Sequence, residues 1–224
     1  MESYRSGRTL ARIVIGLAAV RILHQAAMAT SAAFLALNPK DPTATAMTKA
    51  MSSGIFHLVV LASIVVFLMW VHRSISNLQA LGSTDVTAPS DAVWAFIIPF
   101  VNLVRPHTIM SKLWTESQRQ GVDENGVPLP VSTRIVTVWW VLNLVAGLVA
   151  LYMVVLGVAL KMGTPTLDAV KTLFQTIAVA SAVGTVDGVL FVLMTKRIQD
   201  RQDAQHADLE LRAAAPQPDA SSLR

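Results

Sequence analysis

The 224-residue chain contains no cysteine, which removes disulfides, thiolate metal sites, iron–sulfur ligation and cysteine nucleophiles together. Charge is also scarce. Only 14% of the residues are charged against 53% hydrophobic, and the mean hydropathy of +0.52 does not suit a water-soluble domain. Neither a glycine-rich phosphate loop nor an HExxH zinc signature occurs. Ser52, Ser53 and His57 lie close in sequence, but no acid is placed to orient the histidine, so nucleophilic hydrolysis lacks a constellation. The excess positive charge of +4 sits beside apolar segments, where it reports membrane orientation and gives no reason to expect nucleic acid.

What the chain has instead is long apolar runs, roughly 10–37, 50–71, 135–160 and 169–195. Each is long enough, at about 1.5 Å per helical residue, to cross a hydrocarbon layer about 30 Å thick. The first is too long for a cleaved signal peptide. The fold class read from these runs is an all-α integral membrane protein with four transmembrane helices. Residues 1–198 form a single helical membrane domain, and the polar stretch 199–224 reads as a disordered cytoplasmic tail.

Between the second and third spans, residues 92–104 form a shorter apolar run broken by Pro99 and followed by Arg105 and Pro106. Thirteen residues do not cross as a standard helix, and prolines remove backbone donors, so a re-entrant or interfacial segment is expected. Such irregular backbone is tolerated at depth only where protein shields it or a wet cavity adjoins it. Gly82 is a plausible stop for the helix before it.

Basic residues set the expected orientation. Thirteen (Arg5, Arg8, Arg12, Arg73, Arg105, Lys112, Arg119, Arg134, Lys196, Arg197, Arg201, Arg212 and Arg224) fall on one side of a four-span topology, and Lys40, Lys49, Lys161 and Lys171 fall on the other. Both termini are therefore expected in the cytoplasm of a bacterial cell, with the chain in the cytoplasmic membrane. Trp70, Trp94, Trp114, Trp139 and Trp140 fit the aromatic belts that anchor a protein at the membrane boundary.

Polar side chains inside the spans need a reason, because a charge in lipid costs several kcal/mol. Arg21 and Asp187 are expected to pair between the first and last spans, either as a structural clasp or as part of a proton relay or polar-ligand site. Asn102, Arg105 and Asn143 extend this to a polar cluster open toward the cytoplasm. Arg105 suits an anionic ligand or a lipid phosphate, and Asn102 suits backbone groups freed by the prolines. His24 and His57 are the possible cofactor ligands, as imidazoles able to hold haem iron or copper. No cofactor is specified, and the identity of any metal is left open. Gly184 and Gly188, four apart, allow close helix packing within the bundle or between copies.

The strings WVHRSISNLQALG and WAFIIPFVNLVRPHTIMSKLW, residues 70–82 and 94–114, resemble the bacterial DUF4328 membrane-protein family. The resemblance implies a multi-helix membrane fold and supplies no reaction; His72 and His107 depart from it, standing where aromatic residues are expected. Function is therefore read from the residues. The leading expectation is a small integral-membrane accessory or scaffold subunit, with membrane lipids and either another membrane protein or a second copy as partners. The alternatives are a carrier or channel for a small anionic or amphipathic molecule, and a membrane enzyme or haem protein using the intramembrane histidines.

Overall fold

The computed structural model describes residues 3–51, 54–118, 130–163 and 166–214, and these residues are helical, without strands. The helices are α1 (Arg8–Leu37), α2 (Pro42–Met51), α3 (Gly54–Ala80), α4 (Pro89–Ile97), α5 (Arg105–Ser117), α6 (Arg134–Met162) and α7 (Leu167–Ala214). A 3-10 turn at Val101–Leu103 joins α4 to α5. Four helices, α1, the apolar stretch that includes α3, α6 and α7, are long and apolar enough to cross a membrane, and the protein is a multi-pass membrane protein.

Local chemistry sets the helix ends. The Asp41 carboxylate accepts from the Ala44 backbone N–H at 2.8 Å and starts α2, while Thr166 Oγ accepts from Ala169 at the start of α7. α3 stops where expected: Gly82 takes φ +92°, its N–H donates to Gln79 O, and Ser83 N–H donates to Leu78 O, closing a Schellman motif.

α1 and α7 run antiparallel along most of their lengths. Arg8 meets Asp203 at one end, and Ile22 and Gln25 lie against Gly188 and Gly184 further along. The end where the chain starts is called the basic end here. At Gly188 an added Cβ would lie 2.6 Å from Ile22 Cγ1, so hydrogen there is what lets the two helices approach. α7 has 48 residues and is about 72 Å long at the ordinary helical rise, more than twice a hydrocarbon thickness.

That length corrects one expectation. As far as Ala214 the polar stretch from Gln199 continues α7 and is not a disordered tail; residues 215–224 lie outside the described residues. Its inner stripe, Met194, Thr195, Ile198, Gln199 and Gln202, is buried at helical spacing. Gln202 Nε2 donates to Ser74 O and Ser117 Oγ, and Gln205 Nε2 donates to Glu116 O and Ser117 O, satisfying carbonyls at the end of α5. Hydropathy falls away after Lys196 because, beyond Ile198, amides occupy the buried positions, at Gln199 and Gln202.

The proline-broken segment is a helical hairpin. α4 leaves the basic end, Pro99 follows its last turn, and Phe100 reverses the chain at φ +66°. α5 then returns, and Ser83 to Glu116 and Lys112 to Asp85 hydrogen bonds hold the two feet together. The hairpin tip reaches Phe67 on α3, where Phe96 packs edge-on with a ring separation of 5.2 Å.

Three of the expected boundary tryptophans sit in the protein interior instead. Trp70, Trp114 and Trp139 are buried with Val71, Met110, Leu113, Val136, Met194 and Ile198 in a core at the basic end. Trp114 Nε1 donates to Ser132 O, which fixes the start of α6 on α5. Large rings fill the space where six helices converge, and this packing outweighs any preference for the membrane boundary. Trp94 is exposed, and Trp140 is partly buried.

Candidate functional site

A cavity of about 340 Å³ lies within the bundle, above the basic-end core. Helix periodicity explains its polar side. On α1, Arg21 and Gln25 are one turn apart and face inward together; α6 adds Asn143, α7 adds Asp187, α3 adds Ser63 and the hairpin tip adds Asn102. Arg21 is nine residues from Arg12, Asn143 nine from Arg134, and Asp187 nine from Lys196. At the helical rise each interval is about 14 Å, so residues on three helices arrive at one level.

Asp187 and Asn143 form the clearest contact. Asn143 Nδ2 donates to Asp187 Oδ1 at 2.6 Å and to Trp139 O at 2.9 Å, which orients the amide. Arg21 acts electrostatically on Asp187, but the expected salt bridge is not made: among the described ion pairs within 4.0 Å none joins them. The Cα of Gly184 lets the Gln25 side chain lie beside α7, where an added Cβ would be 3.3 Å from it. Among the described residues, Arg21, Gln25 and Asn102 make no side-chain hydrogen bond within the protein, although all three face the cavity.

The floor is aromatic. Phe67 contacts Phe96 and Phe191 at ring separations of 5.2 and 5.3 Å, and Phe191 stacks on Trp139 at 6.2 Å. Beyond it toward the basic end lie the buried side chains of Trp70, Val136, Met194 and Ile198. The expected opening toward that end is therefore absent, because a packed core occupies the route.

Other expected site residues separate from the cluster. Arg105 starts α5 exposed and outside the cavity lining, because the chain reverses at Phe100 and carries residues beyond Asn102 away from the interior. Asn102 does not satisfy the freed backbone with its side chain; its own N–H donates to Ile98 O. His24 Nε2 lies 2.9 Å from Met51 O, and the ring stacks on Phe56 at 3.3 Å. His57 is exposed, and neither histidine lines the cavity. A carbonyl and a phenyl ring thus hold His24 on the connection to α3. Among the described residues no group of three or more metal-ligating side chains occurs.

Sequence reading missed Ser63 and the aromatic floor. Phe67, Phe96 and Phe191 look like ordinary apolar residues in apolar helices, and only the meeting of three elements makes them a floor. Gln25 carried a signal, one turn after Arg21.

Comparison with known proteins gives one match. No curated protein and no solved structure matches the chain. A family model described as a domain of unknown function matches residues 33–200, a range that contains Asn102, Asn143 and Asp187 and begins after Arg21. With well over half of its length matched, and with the helical membrane architecture and broken hairpin described above, the chain belongs to the DUF4328 family.

Proposed function

We propose that the protein binds a small amphipathic molecule in the cavity and acts as its carrier. One observation carries this reading: half-buried Arg21 and Gln25, and Asn102 exposed at the hairpin tip, line the cavity with their hydrogen-bonding groups uncommitted, beside a carboxylate and among apolar helices. Polar groups at such a position need partners, and ionisable groups within membrane spans mark binding or transport paths. The volume falls at the lower end of small-molecule sites, which run from roughly 300 to 1,000 Å³. Thirteen basic residues on one side of the four-span topology against four on the other support a protein of the bacterial cytoplasmic membrane with both termini in the cytoplasm. In that setting the hairpin is re-entrant, and the polar level lies near the middle of a layer about 30 Å thick.

Native mass spectrometry of protein released from its own membranes tests this. A retained small-molecule adduct is expected on the wild type and is lost from Asn143→Leu; a wild type without an adduct, together with no flux of candidate amphiphiles into proteoliposomes, overturns the carrier reading. A second reading, an accessory or scaffold subunit, is favoured by α6, whose exposed Val141, Val145, Leu148 and Val155 offer a face for another membrane protein or a second copy. Crosslinking in native membranes supports it by a defined partner and rejects it by none.

A further inference from the structure

We propose that the cavity opens sideways to the lipid between α3 and α6, and that its occupant is a single-chain amphiphile whose small zwitterionic head lies between Arg21 and Asp187. This rests on the binding reading above and adds both the route and the chemical class.

The route follows from which helices touch. α1 packs on α3 and on α7, α7 packs on α6, and the hairpin bridges the remaining side with α4 on α3 and α5 on α6; α3 and α6 do not form a packed pair of their own. The ring of helices is closed over the basic half by the hairpin and is open above its tip. The α6 face that presents Asn143 continues at helical spacing through Gly147, Leu151, Val154 and Val158. In a closed bundle that face would be covered. Here Leu151 and Val154 are 62% and 64% exposed, and a Cβ added at Gly147 would meet nothing within 4 Å. Across the gap, Ile64 lines the cavity while remaining 46% exposed. The aromatic floor blocks the route from the basic end, so an amphiphile arrives from the bilayer with its tail on apolar walls.

The chemical class follows from the two charges. Arg21 and Asp187 share the cavity without touching each other, so an ion of either sign would gain one attraction and one repulsion. A head carrying both signs meets a partner at each. Gln25 and Asn102 add neutral donors and acceptors beside it. A tail-less zwitterion would leave the apolar walls unfilled and would have to cross hydrocarbon to arrive.

The full chain in nanodiscs, titrated with lysophosphatidylcholine brominated on its tail, tests both parts. Fluorescence quenching of Trp139 and Trp140 is read in a Trp94→Phe background, which removes a tryptophan exposed to bulk lipid. The expected result is saturable quenching that Trp140→Phe diminishes, with no competition from phosphocholine in the buffer. Gly147→Trp, which fills the gap without a backbone clash, should weaken binding about tenfold or more. Arg21→Gln and Asp187→Asn should each weaken it by about tenfold, the effect of one charge-assisted hydrogen bond, and shift preference toward hexadecyltrimethylammonium and palmitate respectively. Unchanged binding to a folded Gly147→Trp protein, or equal competition by phosphocholine, overturns the lateral route. A dimer dissociated by Gly147→Trp also overturns it, because the gap is then an interface between copies. Binding of palmitate alone, insensitive to Asp187→Asn, overturns the zwitterion. Each of these leaves the carrier reading standing, whereas no adduct from native membranes and no flux of any amphiphile removes that reading itself.

Discussion

The basic half of the bundle and the half beyond it differ in what surrounds their polar groups, close packing in the first and open space in the second. At the basic end, amides are built into the packing: Gln202 donates to Ser74 O and Ser117 Oγ, Gln205 caps α5, and Asn77 Oδ1 accepts from the Arg5 backbone N–H. The atoms there without a protein partner include two kinds: the second atoms of tethered amides, Gln202 Oε1, Gln199 Oε1 and Asn77 Nδ2, and polar groups enclosed in the packing, Trp70 Nε1, Ser74 Oγ, Ser111 Oγ and Thr195 Oγ1. At the cavity, whole side chains are uncommitted and reach open space. The difference teaches that a polar residue in this chain is not informative by its type alone. The same amide is a structural tie where helices close and an uncommitted side chain where they part.

The largest test of this contrast is truncation. Trp70→Ala at the fully buried basic-end core should cost about 3–5 kcal/mol of stability, as expected for an emptied aromatic site, in a steric-trap unfolding measurement. Val154→Ala on the exposed α6 face should change stability by less than about 0.5 kcal/mol. Equal costs would mean that α6 is covered and the two halves are alike.

A smaller effect separates two glycines. Gly188→Val should destabilise by about 1–3 kcal/mol, because its Cβ would press on Ile22, whereas Gly147→Ala should be neutral or mildly stabilising in the same measurement. A neutral Gly188→Val would show that α1 and α7 shift freely.

The smallest effect is a pH response confined to the basic end. Burial pushes the Asp203 carboxyl up, but hydrogen bonds from Tyr4, Gln199, Arg8 and Ser6 outweigh it and hold the group below its usual range. The Tyr4 hydroxyl is raised, first by burial and then by its bond to Asp203, so it remains a donor. A depressed carboxyl stabilises the fold above its unfolded value, about pH 3.9, and that contribution is lost as pH falls through the lower folded value. A raised phenol stabilises below its unfolded value, about pH 10, and loses its effect above that. Hydrogen-exchange protection factors of residues 4–10, each rate taken relative to the intrinsic rate at the same pH, should therefore be flat from about pH 5 to 8 and should fall only in stronger acid, with Asp203→Asn removing the acid step. A step near neutral pH would place another titrating group in the clasp.

Much of the architecture was legible because its causes are local. The apolar runs gave four spans, Pro99 and the short run around it gave the break that the structure turns at Phe100, and Gly82 gave the end of α3. The site was legible only in part. Asn143 and Asp187 do meet, Arg21 and Asn102 do face the same space, and Arg105 does not, because the reversal at Phe100 separates it from Asn102 by more than its place in sequence implies. The helical continuation past Arg197 was hidden by amides at buried positions, and the burial of Trp70, Trp114 and Trp139 was hidden because a belt tryptophan and a core tryptophan look the same in sequence.

The amino-acid sequence by itself determined that this chain is a helical membrane protein with a broken segment between its second and third spans, since hydrocarbon thickness, helical rise and proline's missing N–H act within a single stretch of chain. Tertiary structure alone decided that five elements enclose a cavity, that aromatic rings seal it from the basic end, and that α3 and α6 stand apart above the hairpin. Those outcomes depend on which inward faces meet across the bundle, and helical periodicity fixes a face without naming its neighbour.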